Sequence, residues 1–169
     1  DIAGRQMQSC SSAVSSSYHA QIGATVPRST LLSLQTSMTK DAQHQFRLEK
    51  YDGALQLFHQ ALAISSKTDS DVGQRAVLHH NIASCLHHLG DFETARQQYE
   101  LALRGLERAV ASSASRSPSE VLLNRMRFVR SRLKDVDAGQ MPDPHTYLDG
   151  AGRARGVGAV ERPADEWDD

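Results

Sequence analysis

Two stretches of the chain repeat each other at a constant offset of 41 residues. The matched positions are aromatic, small or aliphatic in both copies: Ala42 with Ala83, Leu48 with Leu89, Tyr51 with Phe92, Ala54 with Ala95, Phe58 with Tyr99, Ala61 with Ala102, and Leu62 with Leu103. One offset over that many positions is hard to obtain by chance and indicates two copies of one structural unit. Because a unit of this size cannot bury its apolar face alone, the feature predicts a stacked repeat architecture.

The second copy, residues 76–106, predicts two helices folded back on each other. Small and large apolar residues recur every three to four positions on both sides of Gly90. Gly90 is placed to end the first helix, and Asp91 is placed to cap the second one.

The second copy resembles a tetratricopeptide repeat. The positions that match the family pattern are Ile82, Ala83, Leu86, Gly90, Phe92, Ala95, Tyr99 and Ala102. The stretch departs from the pattern at His79, where a Trp is common, and it lacks the usual closing Pro. The resemblance implies an all-α fold and a function in binding other proteins.

The repeat is longer than the family's common period of about 34 residues. About seven extra residues have to be accommodated, and the polar run 65–71 is the obvious place for them, with Asp69 or Ser70 capping the next helix. Long repeats of this kind resemble those of kinesin-light-chain-type scaffold proteins. In the first copy Glu49 stands at the turn position of Gly90, so we expect a differently built turn there.

Helical periodicity and capping signals predict three more helices, two before the second copy and one after it. The first helix is expected from Ser29 or Thr30 to Leu48 and the second from Tyr51 to about Ser66. The first carries an apolar stripe of Leu31, Leu34, Met38, Ala42 and Phe46. A capping box with a Pro at the first helical position, residues 117–120, starts a fifth helix. Its stripe is Leu122, Met126, Val129 and Leu133, and it is expected to cover the end of the stack.

The predicted architecture is therefore a short α-solenoid of antiparallel helix pairs with a C-terminal capping helix. It consists of a flexible Ser-rich leader (1–28), a helical domain (29–138) and a flexible Pro/Gly-rich tail with an acidic end (139–169). Within the domain, repeat 1 is about 30–66, repeat 2 about 71–111 and the capping helix 118–137.

Composition sets limits on compartment and partner. The net charge of −1 favours neither nucleic acid nor an acidic membrane, and no apolar run reaches the roughly 18 residues of a membrane span. Cys85 lies beside an apolar helix face, and two cysteines make no disulfide framework, so a reducing, intracellular compartment is expected, with the cytoplasm favoured. The leader is acid-poor, Ser-rich and Arg-bearing, like organelle transit peptides, which leaves a mitochondrion or plastid as the alternative.

The acidic end of the chain contains a tryptophan motif, Glu166, Trp167 and Asp168. It looks like the tryptophan-acidic peptides that kinesin-light-chain-type repeats bind, so the tail is a candidate ligand, in cis or in trans. The alternative is a solvated acidic tail.

In the repeat family the first helix of each pair lines a concave groove. The candidate groove residues are Lys40, Gln43 and Arg47 on helix one, His80, Asn81, Ser84, His87 and His88 on helix three, and Arg127, Arg130 and Lys134 on helix five. Their cationic bias suits a peptide bearing carboxylates. Protonation of His80, His87 and His88 near pH 6 is expected to tune the affinity for an acidic partner.

Other functions have weaker support from the sequence. Asn81 could serve a carboxylate clamp of the co-chaperone type, but Lys40 and Gln43 match the rest of that clamp only loosely. The basic fifth helix allows RNA binding, although no aromatic residues for base stacking are interleaved with its charges. The histidines lack the spacing of a zinc site, and no catalytic motif or cofactor motif occurs.

The sequence therefore predicts a non-catalytic scaffold or adaptor without a cofactor or metal. Its expected partners are a peptide or neighbouring subunits of a larger assembly, because two repeats are fewer than the three usually needed for a stable stack. RNA binding and a co-chaperone role remain the alternatives.

Overall fold

The computed structural model describes residues 26–68, 70–112, 119–143, 146–148 and 154–156. These residues form five helices and two short strands. The helices are α1 (Arg28–Arg47), α2 (Tyr51–Lys67), α3 (Val72–His88), α4 (Phe92–Ser112) and α5 (Glu120–Asp137). The strands β1 (Thr146–Leu148) and β2 (Ala154–Gly156) pair antiparallel, with Tyr147 opposite Arg155.

The helices pack in chain order, as expected for a short all-α solenoid. α1 packs on α2 and α3 on α4, α2 and α3 join the two pairs, and α5 lies against α4. The alanines that the repeat places at helix contacts are fully buried: Ala54 and Ala95 have no exposed surface. Around them the core is filled by the large side chains of Phe58, Ile82, Tyr99 and Leu106.

The turn inside each repeat has the same construction. Gly90 adopts a positive φ of 82°, and Asp91 donates its backbone N–H to the carbonyl of Leu86. The Asp91 carboxylate then accepts the N–H of Thr94 at 3.1 Å, which caps α4 as the sequence predicts.

The expectation of a different turn in the first repeat is wrong. Glu49 takes a φ of 59°, and the N–H of Lys50 bonds the carbonyl of Gln45, one repeat before the Asp91 to Leu86 bond. The fold therefore forces a side chain into the left-handed region that glycine occupies in the second repeat.

The buried stripe of α1 differs from the predicted one at a single position. Gln35 is buried, whereas Leu34 is 44% exposed. At about 100° per residue, Gln35 lies about 20° from Ala42 around the helix axis and Leu34 about 80°, so Gln35 continues the helical stripe better. Its side-chain oxygen accepts a hydrogen bond from Ser70 at 3.3 Å, which ties α1 to the α2–α3 connection.

The helix boundaries and the tail bring three further corrections. Asp71, rather than Ser70, is the residue before α3, because Ser70 is buried and bonded to Thr68 and Gln35. α5 begins at Glu120 after Ser119, which makes no side-chain capping bond, and residues 117 and 118 of the predicted capping box lie outside the described residues. The pairing of β1 and β2 shows regular structure in a tail predicted to lack it. The leader up to residue 25, Asp69 and the tryptophan motif lie outside the described residues.

Candidate functional site

The first helix carries an open cationic patch. Lys40, Gln43 and Arg47, which we call the α1 patch, are all exposed and follow one face of α1 at intervals of three and four residues. Within the described ranges, none of the three side chains has a hydrogen bond or an ion pair to the protein. The patch is therefore free to donate to an external acceptor.

The third helix does not present the polar face that the sequence predicts. His80 and His87 are buried, 3% and 0% exposed, so their placement in an open groove is wrong. The physical reason is that elements from the second half of the chain cover both rings: α5 covers His80, and the segment after α5 covers His87.

His80 is enclosed by groups from two other helices. On α5, Arg125 Nη1 lies 3.4 Å from His80 Nδ1, and the Phe128 ring lies edge-on at 5.6 Å. Tyr99 of α4 lies 6.1 Å away. Because a guanidinium only donates, Nδ1 must accept and the ring proton must be on Nε2. Burial, reinforced by Arg125, lowers the pKa of His80 to about 3.

Two buried donor atoms lie at this position. Among the described residues, His80 Nε2 and Asn81 Nδ2 are buried and have no hydrogen-bond partner. Buried donors without acceptors cost roughly 1 to 3 kcal/mol each. The contact between α3 and α5 therefore carries an unfavourable polar contribution.

His87 joins α3 to the chain after α5. Its Nε2 donates to the carbonyl of Gln140 at 2.7 Å, and its ring meets Phe92 and Tyr99 edge-on at 5.6 and 6.0 Å. Burial lowers the pKa of His87. The residues after α5 thus occupy the C-terminal end of α3.

His88 and Ser84 also have packing partners. The His88 ring stacks on Tyr51 at 4.4 Å and meets Phe46 edge-on at 5.2 Å. Burial, together with Arg132, lowers the pKa of His88 to about 4. The Ser84 hydroxyl donates to the carbonyl of His80 and lies 3.4 Å from the Tyr99 hydroxyl.

These environments contradict the predicted tuning of affinity near pH 6. With pKa values of about 3 and about 4, His80 and His88 are neutral at pH 6, and burial lowers the pKa of His87 in the same direction. Burial thus disfavours the charged form of His80, His87 and His88, which are packing residues in the folded protein.

The basic fifth helix is less open than its sequence suggests. Arg125 and Arg132 are 6% and 7% exposed, and the Arg132 guanidinium lies over the Phe128 ring at 4.9 Å. Arg127 pairs with Glu120 and Arg130 pairs with Glu107, at 3.1 and 3.2 Å. Lys134 is exposed. Most of the basic side chains of α5 that could contact nucleic acid therefore already have protein partners.

Three further properties of the described residues concern metal binding, thiol reactivity and membrane insertion. They contain no cluster of three His, Cys, Asp or Glu side chains that could hold a metal ion. Cys85 is a buried thiol, as predicted, and burial raises its pKa to about 12, which keeps it protonated and unreactive. No helix in this part of the chain is both long and apolar enough to cross a bilayer.

The family comparison agrees with these helix pairs. The model of the tetratricopeptide repeat family matches residues 38–108, from the middle of α1 to near the end of α4. This segment is a tetratricopeptide repeat region. Tetratricopeptide repeats are protein–protein interaction modules and are typically non-catalytic. No curated protein and no solved structure matches the chain significantly. The likeness to kinesin-light-chain-type repeats stays a prediction.

The sequence reasoning missed the residues that close α3. Arg125, Phe128 and Gln140 cover the two buried histidines. One signal could have found part of this contact. Arg125 and Arg132 are seven residues apart, like Met126 and Leu133, so they lie at the edge of the apolar stripe of α5.

Proposed function

We propose that this protein is a non-catalytic scaffold or adaptor whose repeats bind a peptide or a neighbouring subunit of a larger assembly. The observation that carries the proposal is the α1 patch on the first helix of a tetratricopeptide repeat pair. Lys40 and Arg47 are exposed there without protein partners in the described ranges. Ammonium and guanidinium groups pair best with anionic acceptors, so the favoured partner bears carboxylates.

Two features support a role inside an assembly. The family match spans two repeats, fewer than the three that usually make a stable free-standing stack. The first helix also leaves Leu32 and Leu34 exposed, at 37% and 44%. Apolar side chains at the end of a stack favour a neighbouring subunit as their cover. The tails are proposed as further contacts.

The alternatives gain no support from the described residues. An RNA-binding role needs open cations on α5, but Arg125 and Arg132 are buried and Arg127 and Arg130 are paired. A carboxylate clamp needs an open Asn81, and its Nδ2 atom is buried.

The test compares three versions of the intact chain in quantitative affinity purification and on an array of Asp/Glu-rich and neutral peptides. The double variant Lys40→Glu/Arg47→Glu reverses the charge of the α1 patch. The control Lys67→Glu makes a similar change at the exposed end of α2. We expect only the double variant to lose the captured partners and the acidic peptides. We also expect binding by the wild-type protein to weaken as the salt concentration rises.

A fourth version that ends at Asp143 keeps the segment that covers His87 and separates the helical body from the tail. Partners retained by this version bind the helices, and partners lost from it bind the tail. If neither the patch reversal nor the truncation changes the captured set, the proposed binding surfaces are wrong.

A further inference from the structure

The buried face of α5 differs from the buried faces of the repeat helices. Its buried residues are Arg125, Met126, Val129, Arg132 and Val136, so two of five are cations. No arginine or lysine is among the buried residues of α1 to α4 within the described ranges. Elements with the least favourable packing are the first to open in a native protein.

The contact between α5 and α3 centres on His80. Arg125 and Phe128 of α5 touch its ring, Arg132 of the same helix acts on it electrostatically, and Tyr99 approaches from α4. Within α3 the neighbouring polar group is Asn81, whose Nδ2 is buried without a partner in the described ranges. The charged groups facing His80 are thus both cations. A proton on this ring would add a positive charge beside Arg125 and Arg132, of which Arg132 is paired with Asp135 at 3.2 Å.

The bonds that hold α5 from outside are weak ones. Arg130 pairs with Glu107 at 3.2 Å, and Arg96 of α4 pairs with Asp137 at 3.3 Å, all four side chains being about half exposed or more. Exposed pairs of this kind contribute little and are screened by salt. These pairs add little to the apolar packing of Met126 and Val129, which holds α5 on the core.

We propose that α5 is a displaceable lid over the inner face of α3, and that protonation of His80 releases it. With α5 docked, the ring stays neutral, because water is excluded and Arg125 is adjacent. With α5 undocked, the ring meets water and takes up a proton as any solvated histidine does. Acid therefore shifts the equilibrium of α5 towards the undocked state.

The size of the effect follows from linkage. A docked pKa of about 3 against an ordinary value of about 6.5 makes the undocking equilibrium constant rise about 25-fold between pH 7 and pH 5. Undocking uncovers the inner face of α3 around His80, the ring that Arg125 and Phe128 cover when α5 is docked. The lid thus controls access to a surface that the α1 patch does not include.

The experiment is amide hydrogen exchange on the intact chain at pH 7 and pH 5, with rates corrected for the intrinsic effect of pH. In the wild-type protein we expect protection of α5 to fall by at least about 25-fold, while α2 and α4 keep theirs relative to global unfolding. His80→Gln removes the titrating group and keeps a polar side chain, and His80→Phe keeps a ring. The control His59→Gln removes an exposed histidine from α2.

The comparison isolates His80 from His87, whose bond to Gln140 also breaks if the segment after α5 leaves. The fall in α5 protection should be about 25-fold larger in the wild type and in His59→Gln than in either His80 variant. Equal pH dependence in all four proteins would overturn the proposal. The proposal would also be overturned if the α5 amides of the wild-type protein exchanged only together with those of α4. This observation requires the wild-type protein alone.

Discussion

Replacing Gly105 with Ala tests the close approach of α3 and α4. A Cβ atom at Gly105 would lie 2.7 Å from the Cβ of Ala76 and 3.5 Å from its Cα. Carbon atoms in contact normally stay about 3.5 to 4 Å apart, so the two helices must separate by close to 1 Å. Overpacking of this kind costs about 1 to 3 kcal/mol. The obstacle is the Cβ of Ala76, which is attached directly to the helix backbone and cannot rotate away.

Gly53 offers a matched control on α2. A Cβ atom there would meet only the end of the Gln45 side chain, which is flexible and can move. Both substitutions gain roughly 0.5 to 1 kcal/mol from helix propensity. The difference between them therefore isolates the steric cost, and Gly105→Ala should be less stable than Gly53→Ala by about 1 to 3 kcal/mol.

The assay is urea unfolding followed by circular dichroism, extended to a double-mutant cycle with Ala76→Gly. Removing the Ala76 methyl group should recover much of the stability lost in Gly105→Ala, because the clash is between the two Cβ atoms. If Gly105→Ala raises stability as much as Gly53→Ala does, or if the cycle shows no coupling, the helices are not in contact as described.

Three further predictions concern turns, pH and the thiol. In urea melts, Glu49→Gly should raise the free energy of unfolding by about 0.5 to 1 kcal/mol, since φ is 59° at this position. Gly90→Ala should lower it by about 1 kcal/mol, since φ is 82° there. Destabilisation by Glu49→Gly or stabilisation by Gly90→Ala would refute the shared turn geometry. The contribution of His80 to the free energy of unfolding should be fully present above pH 6.5. It should fall by about 1.4 kcal/mol per pH unit as the pH is lowered towards 3, because the unfolded chain binds a proton that the folded chain excludes. Melts whose midpoint does not change in acid would contradict this. In a Cys10→Ser background, Cys85 should react with a thiol reagent only on the timescale of unfolding, and rapid native labelling would argue against its burial.

Features that depend on local spacing could be predicted from the sequence. The offset between Ala54 and Ala95 located both helix pairs, because small residues recur wherever two helices touch. Gly90 and Asp91 marked the second turn by their chemistry alone. These signals lie within one repeat, so they need no knowledge of distant parts of the chain.

Features that depend on distant packing could not be predicted. His80 and His87 look polar and exposed on a helical wheel, and they are buried because α5 and Gln140 return to cover them. Glu49 adopts a glycine conformation because the tertiary fold fixes the turn, overriding its own preference. The α1 patch lies on the first helix of the stack and keeps its predicted exposure.

The most direct test of the account is a nuclear magnetic resonance titration of the labelled chain with a pool of short Asp/Glu-rich peptides at pH 7. Binding through the α1 patch should shift the resonances of Lys40, Gln43 and Arg47. These shifts should be smaller at high salt, and no shift should occur at the outer face of α4 around Gln97. It also predicts little change at His80 while α5 stays docked. Shifts that avoid the α1 patch, or shifts that persist in Lys40→Glu/Arg47→Glu, would contradict the claim that this repeat region binds acidic partners through its first helix.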